Sequence, residues 1–180
     1  AYAAGKMKEE DFVGIEKNAC PSVGACGGMY TANTMSSSFE ALGMSLPNSS
    51  AQIAISRAKQ LDCRNAGAAV VNLIKRGIRP RDIMTRDAFL NAITVAMAMG
   101  CSTNAIIHVT AIAGRAGVKV DLDRLNALAE TTPTLVDLKP VGQGYMEDLF
   151  AAGGVGAVLR EIKDLLHLDC RTVAGQTLGE

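Results

Sequence analysis

Cys20-Pro21-Ser22-Val23-Gly24-Ala25-Cys26-Gly27-Gly28-Met29-Tyr30-Thr31-Ala32-Asn33-Thr34-Met35 carries more structural information than any other stretch of this chain. Two cysteines lie in a Pro/Gly-rich loop, and Ala32, Met35, Phe39 and Leu42 then recur at helical spacing up to Gly43, a residue suited to the position just past a helix end. The pattern predicts a helix that begins directly after Cys26. A thiol so placed faces outward-pointing backbone N–H groups and the positive end of a helix dipole, which favour thiolate. Gly24, Gly27 and Gly28 remove side-chain bulk around it, and Thr31, Asn33 and Thr34 add hydrogen-bonding groups in the first turns. On these residues alone Cys26 reads equally as a metal ligand or nucleophile and as an inert core thiol. Cys20, before Pro21, reads as a second ligand or a small buried hydrophobe. A Cys-x5-Cys pair without a second pair is not a zinc pattern, so any metal here requires ligands from elsewhere.

Outward from this loop, helical punctuation dominates. A short polar helix is expected over 5–18. Asn48-Ser49-Ser50 offers an N-cap for a helix from about Ala51 to Arg76, broken near Asp62 or Gly67 and stopped by Gly77 and Pro80. Thr85 caps a helix with Phe89, Ala92, Ile93, Ala96 and Met97 inward, ended by Gly100. Ser102 or Thr103 caps the next, with Ala105, Val109, Ile112 and Ala113 inward and Gly117 as its stop. Asp121 caps 122–130, and short helices follow near 145–151 and 155–166. Strands are few: 118–120 at an edge, Thr134–Leu138 as the best candidate, and Arg171–Ala174. The fold class is therefore α/β and helix-dominated, with strands that lack obvious partners.

The 180 residues suffice for one domain, and an apolar content of 48% with 20% charged residues is that of a globular chain. Aromatics are only 4%, so the core must be aliphatic. Eighteen basic and eighteen acidic residues balance to zero, which argues against a nucleic-acid footprint. No apolar run reaches the ~18 residues of a membrane span, and the N-terminus has no signal-peptide pattern. The start Ala1-Tyr2-Ala3-Ala4, without an initiator Met, reads as an excised or processed chain. Five widely spaced cysteines fit a reducing compartment better than a disulfide framework.

The other candidates are weaker. Cys63, Cys101 and Cys170 read as structural. Cys101-Ser102-Thr103-Asn104 is either a plain helix cap or a loop that binds an anionic ligand. His108 reads as a packing residue and His167 as a partner of a helix dipole. Gly153-Gly154-Val155-Gly156-Ala157 lacks the spacing and lysine of a phosphate loop, which leaves helix packing.

The stretch from Ala19-Cys20-Pro21 to Met35 resembles the cluster-binding signature of the dihydroxy-acid/phosphogluconate dehydratase family. The likeness continues, in order, through Glu40–Pro47, Arg79–Ile83, Ser102–Ala105 with His108, Asp137–Pro140, and Thr172–Leu178. Ser22 stands where Gly is usual, and so does Cys101. The resemblance implies that this segment is the second half of an N-terminal three-layer α/β/α domain, residues 1–180 forming one unit. It implies that Cys26 ligates an iron–sulfur cluster, two-iron or four-iron, while Cys20 does not. Ser102, Thr103 and Asn104 become substrate-pocket candidates. The remaining cluster cysteines, the Mg2+ ligands and the catalytic base are expected outside the segment, so no catalytic residue is assigned here.

Gly27–Met35 resembles the branched-chain amino-acid branch of the family most closely. The implied reaction is loss of water from 2,3-dihydroxy-3-methylbutanoate or its ethyl homologue to give a 2-keto acid, in valine/isoleucine biosynthesis. The implied whole enzyme acts on a small molecule as a homodimer, with no nucleic-acid or membrane partner. Its expected compartment is the cytoplasm in a bacterium and the mitochondrion or plastid in a eukaryote. A sugar-acid dehydratase of the same family and a non-catalytic helical binding domain are the alternatives.

Overall fold

A computed structural model of the chain describes residues 1–19 and 26–180. The order of helices is α1 (Glu9–Asn18), α2 (Thr31–Ala41), α3 (Arg57–Arg76), α4 (Pro80–Ile83), α5 (Arg86–Ala98), α6 (Asn104–Ala116), α7 (Leu122–Thr131), α8 (Met146–Ala151) and α9 (Gly154–Glu161). Single 3-10 turns occupy Tyr2–Ala4 and Lys163–Leu165. Helix α5 is the axis of the fold. Its sequence is apolar almost all round, and a helix of that kind is stable only when buried. The hydroxyl of Thr85 caps it by accepting from the N–H of Ala88 at 3.3 Å.

Helices α2, α6, α7 and α9 pack around α5. Its N-terminal half contributes Ala88, Phe89, Ala92 and Ile93 to a cluster with Leu42, Val109, Ala113 and Leu125. Its C-terminal half contributes Val95 and Ala98 to a second cluster with Met29, Leu138, Met146, Leu149, Val155 and Val158. The second cluster contains Met29 and Leu138, so the cysteine loop and the 137–144 loop are anchored in the core rather than draped over it.

The expected helix stops are present. Gly77 and Gly117 take left-handed conformations (φ 65° and 80°) and close α3 and α6. Gly43 (φ 84°) closes the turn after α2, and a Cβ there would meet the carbonyl oxygen of Arg171 at 2.8 Å. Asp121 caps α7 by accepting from the N–H of Asp123 at 3.0 Å.

Three expectations change. First, α3 starts at Arg57, not near Ala51, and runs unbroken past Asp62 and Gly67. Residues 48–50 do not cap it because a buried carboxylate claims them. Glu40, only 4% exposed, accepts from the N–H of Asn48 (2.6 Å) and from the N–H and hydroxyl of Ser50 (3.0 and 2.6 Å). Ser56 caps α3 instead. Second, no extended strand forms among the described residues. The N–H of Leu135 is taken by the carbonyl of Ala98 at the end of α5 (2.7 Å), and only Leu138 makes a ladder contact, with Gly144. At the C-terminus the chain turns back on itself after Thr172, which leaves one bridge, Arg171 to Thr177. Residues 118–120 pack valines into the first cluster without ladder bonds. The chain is helix-dominated. Third, the last long helix ends at Glu161 and tightens into the 3-10 turn.

Two predictions follow from the packing. Phe89→Ala removes a fully buried ring from the first cluster, and should lower unfolding free energy by about 3–5 kcal/mol in denaturant titration. A loss below about 1 kcal/mol would contradict the packing role. Burial raises the Glu40 carboxyl above its ordinary value of 4.5, against the lowering effect of its hydrogen bonds with Ser50 and Asn48. A raised carboxyl binds more protons folded than unfolded. Stability should therefore fall as pH rises from about 4.5 through the folded value, then level off. Glu40→Gln should remove that slope, as read from thermal midpoints across the window.

Candidate functional site

Helix α2 begins at Thr31, not directly after Cys26. Gly27–Tyr30 form an intervening turn, and the exposed, disulfide-free Cys26 precedes it. The cysteine is nevertheless tied to the first turn of α2. Asn33, buried in that turn, donates from Nδ2 to the carbonyl oxygens of Cys26 (2.6 Å) and Gly28 (2.7 Å). Cys20 and Ser22 lie outside the described residues.

Two further loops meet this turn. The 137–144 loop is stitched to it by main-chain bonds. The N–H of Met29 donates to the carbonyl of Lys139 (2.6 Å), and the N–H of Met146 to the carbonyl of Gly27 (2.7 Å). A Cβ on Gly28 would lie 2.5 Å from the Tyr30 ring and 3.0 Å from the Lys139 carbonyl oxygen, so only glycine fits this approach. Lys139 donates from Nζ to the Tyr145 hydroxyl at 2.9 Å, with the ammonium 4.6 Å from that ring's centroid. The tyrosine hydroxyl raises the lysine above its ordinary value.

The second loop is 101–104, at the start of α6. The N–H of Ser102 donates to Thr34 Oγ1 (3.0 Å), the Ser102 hydroxyl lies 3.2 Å from Thr31 Oγ1, and Asn104 Nδ2 donates to Thr31 Oγ1 (2.8 Å). Two helix N-termini, those of α2 and α6, are thus pinned together by hydroxyl and amide groups beside the cysteine turn. Such a cluster presents donors to an anionic or hydroxylated ligand. Of the three pocket candidates in this loop, Ser102 and Asn104 join the network. Thr103 is exposed and makes no side-chain bond among the described residues.

The remaining sequence candidates separate cleanly. Cys101 packs against the second cluster, and burial pushes its thiol up to about 11, offset in part by a hydrogen bond with Thr34. Burial also raises Cys170, which packs against the first cluster. Cys63 is exposed on α3. His108 is exposed and does not pack in the core, contrary to expectation, because its position on α6 turns outward. His167 acts through its main chain: Asn91 donates to its carbonyl (2.9 Å) and accepts from its N–H (2.8 Å). Gly154 and Gly156 sit against the Asn48 side chain, where a Cβ would come within 3.3 and 3.0 Å of its amide oxygen, which fits helix packing. Lys139 and Tyr145 belong to the site without having been singled out as site residues. Lys139 lay within the Asp137–Pro140 landmark of the family resemblance without a role, and Tyr145 was not singled out.

Among the described residues, no three His, Cys, Asp or Glu side chains gather to hold a metal ion. One exposed thiol in a glycine turn fits a single ligand of a metal group whose other ligands come from outside these residues. Among the described residues, no helix is long and apolar enough to cross a membrane.

A family model described as dihydroxy-acid/6-phosphogluconate dehydratase N-terminal matches residues 1–180, and the chain belongs to that family. It is 52% identical over 179 residues to the dihydroxy-acid dehydratase of Cytophaga hutchinsonii, covering 98% of this chain and 32% of that protein. It is 52% identical over 182 residues to the dihydroxy-acid dehydratase of Methylococcus capsulatus, covering all of this chain and 32% of the relative. A dihydroxy-acid dehydratase of Caldicellulosiruptor bescii is 48% identical over 182 residues, with 33% of its length covered. The chain spans about a third of the length of these relatives.

The burial pattern predicts an order of thiol reactivity. With iodoacetamide at pH 8, Cys26 and Cys63 should be modified first. Cys101, with a thiolate fraction on the order of a thousandth, should lag far behind. Peptide mass mapping reads the order, and labelling of Cys101 as fast as Cys63 would contradict it.

Proposed function

We propose that this chain is part of the N-terminal region of an iron–sulfur hydro-lyase. The enzyme would dehydrate 2,3-dihydroxy-3-methylbutanoate-type acids to 2-keto acids, a step of valine/isoleucine biosynthesis. The observation that carries the reading is the meeting of three loops, from residues 26–30, 101–104 and 137–146, around one exposed thiol. The names of the similar proteins favour the dihydroxy-acid branch over a sugar-acid dehydratase.

Cys26 is the residue that would hold iron here, through its thiolate. An iron with an open position supplies Lewis-acid activation of a leaving hydroxyl. The chain's own part is to hold and shape. The Thr31, Ser102 and Asn104 polar groups line the approach and would orient hydroxyl or carboxylate oxygens of the substrate. Lys139 keeps a positive charge against Tyr145 at the edge of the same turn. Mg2+ ligands and the base that takes the C2 proton would come from parts of the enzyme outside these residues, and the working enzyme is proposed to be a homodimer.

Incompleteness of the site is supported by the surface. Helix α3 buries only Asp62 and exposes Val70, Val71 and Ile74 within one sector of its surface, the last 75% accessible. Exposed apolar side chains grouped in this way mark a surface suited to cover by further polypeptide.

Two expectations test the reading. The 180-residue chain alone, treated with iron and sulfide, should retain no stable cluster and show no dehydratase turnover, because one thiolate cannot hold the group. Measurable dehydration by the isolated chain would sink this. In a complete enzyme carrying the segment, Cys26→Ser should abolish the visible cluster absorption and the activity together, while a full native spectrum in that variant would exclude Cys26 as a ligand.

A further inference from the structure

The turn that carries Cys26 has an unusual economy of main-chain groups. Three successive carbonyls are all drawn inward: those of Cys26 and Gly28 by Asn33 Nδ2, and that of Gly27 by the N–H of Met146. Both partners of the Asn33 amide are carbonyl oxygens. Its NH2 end must therefore face them, and its two protons are both used. A trans peptide places C=O and N–H on opposite sides. The rule is visible at the third peptide, where the Gly28 carbonyl goes to Asn33 and the N–H of Met29 goes the other way, to Lys139. At the first two peptides it directs the N–H groups of Gly27 and Gly28 away from Asn33 and from α8. There they meet no acceptor among the described residues.

We propose that Asn33 is a positioning residue that sets the polarity of the cysteine turn. By holding the Cys26 and Gly28 carbonyls inward, it leaves peptide N–H groups, and no carbonyl oxygen of residues 26–28, for the side of the turn away from Asn33 and α8; Cys26 itself is exposed. The inference rests on the reading of Cys26 as the iron ligand. An anionic thiolate, and any sulfur of a group bound to it, is stabilised by N–H dipoles and opposed by carbonyl oxygens. Hydrogen bonds to the sulfurs are among the factors that set the reduction potential of such groups. Without the Asn33 amide the Cys26–Gly27 peptide is free to turn over. The glycine on its far side makes that rotation sterically cheap, so a buried side-chain donor is what the turn needs to keep one orientation.

The test uses the complete holoenzyme with four variants: Asn33→Ala, Asn33→Asp, Cys26→Ser, and Leu125→Ala as a substitution in the other core cluster, which contains no residue of the turn. Asn33→Asp keeps the shape and removes the donors. The readouts are the visible circular dichroism of the cluster, its midpoint potential, the rate of cluster loss and the thermal midpoint. Both Asn33 variants should change the dichroism and shift the potential. They should also lose the cluster about tenfold or more faster, the scale seen when a group supporting a ligand residue is removed. Leu125→Ala should lower the thermal midpoint and move neither spectrum nor potential. If Asn33→Asp fails to accumulate as folded protein, Asn33→Ser, which retains one donor, decides the matter with an effect between wild type and Ala. Loss of the cluster in Cys26→Ser, with wild-type dichroism and potential in the Asn33 variants, overturns the inference alone. An intact cluster in Cys26→Ser overturns the ligand reading beneath it.

Discussion

A polar side chain taken out of water must find a partner, and helix α2 buries Asn33, Thr34 and Glu40 in a largely aliphatic core. Each one reaches out of the helix and fixes a different loop: Asn33 the cysteine turn, Thr34 the start of α6, and Glu40 the 48–50 segment. The fold therefore couples its core to its candidate site through one helix. Losing any of these bonds strands a buried polar atom, which costs about 1–3 kcal/mol, more than the net worth of the bond itself. The Ser37 and Ser38 hydroxyls, buried without a partner among the described residues, are the exceptions on the same helix. Small side chains there suit the close packing of α2 on α5.

The same device recurs at Asn91, whose amide clamps the main chain of His167 from within α5. Buried amides thus fix irregular segments at both the cysteine turn and the C-terminal region. The aliphatic clusters supply most of the stability, whereas these amides and Glu40 determine where the loops lie. The candidate site is consequently built from three segments distant in sequence, each leading into the start of a helix: α2, α6 and α8.

Most helix boundaries were legible because they depend on local chemistry. Thr85 and Asp121 cap, and Gly43, Gly77 and Gly117 stop, through groups within a few residues of one another. The 51–56 start of α3 was misread because Asn48-Ser49-Ser50 has the composition of a cap, yet a carboxylate ten residues earlier takes its donors. The strand over Thr134–Leu138 was misread because β composition requires a neighbouring strand, and the end of α5 took the N–H of Leu135 instead. Within the site, the glycines and Cys26 stood out by type and spacing. The pairing of Thr31 with Asn104 and the stitching of Met29 to Lys139 join residues far apart in sequence, which no local pattern reveals.

The proposed role of Cys26, an iron ligand at the meeting point of these loops, is open to direct test. Diffraction from crystals of the complete enzyme, recorded at the iron absorption edge, tests it most directly. The account predicts an anomalous peak at bonding distance from the Cys26 sulfur, beside Thr31, Ser102 and Asn104. Iron bound elsewhere, with the Cys26 thiol outside the coordination sphere, would contradict it.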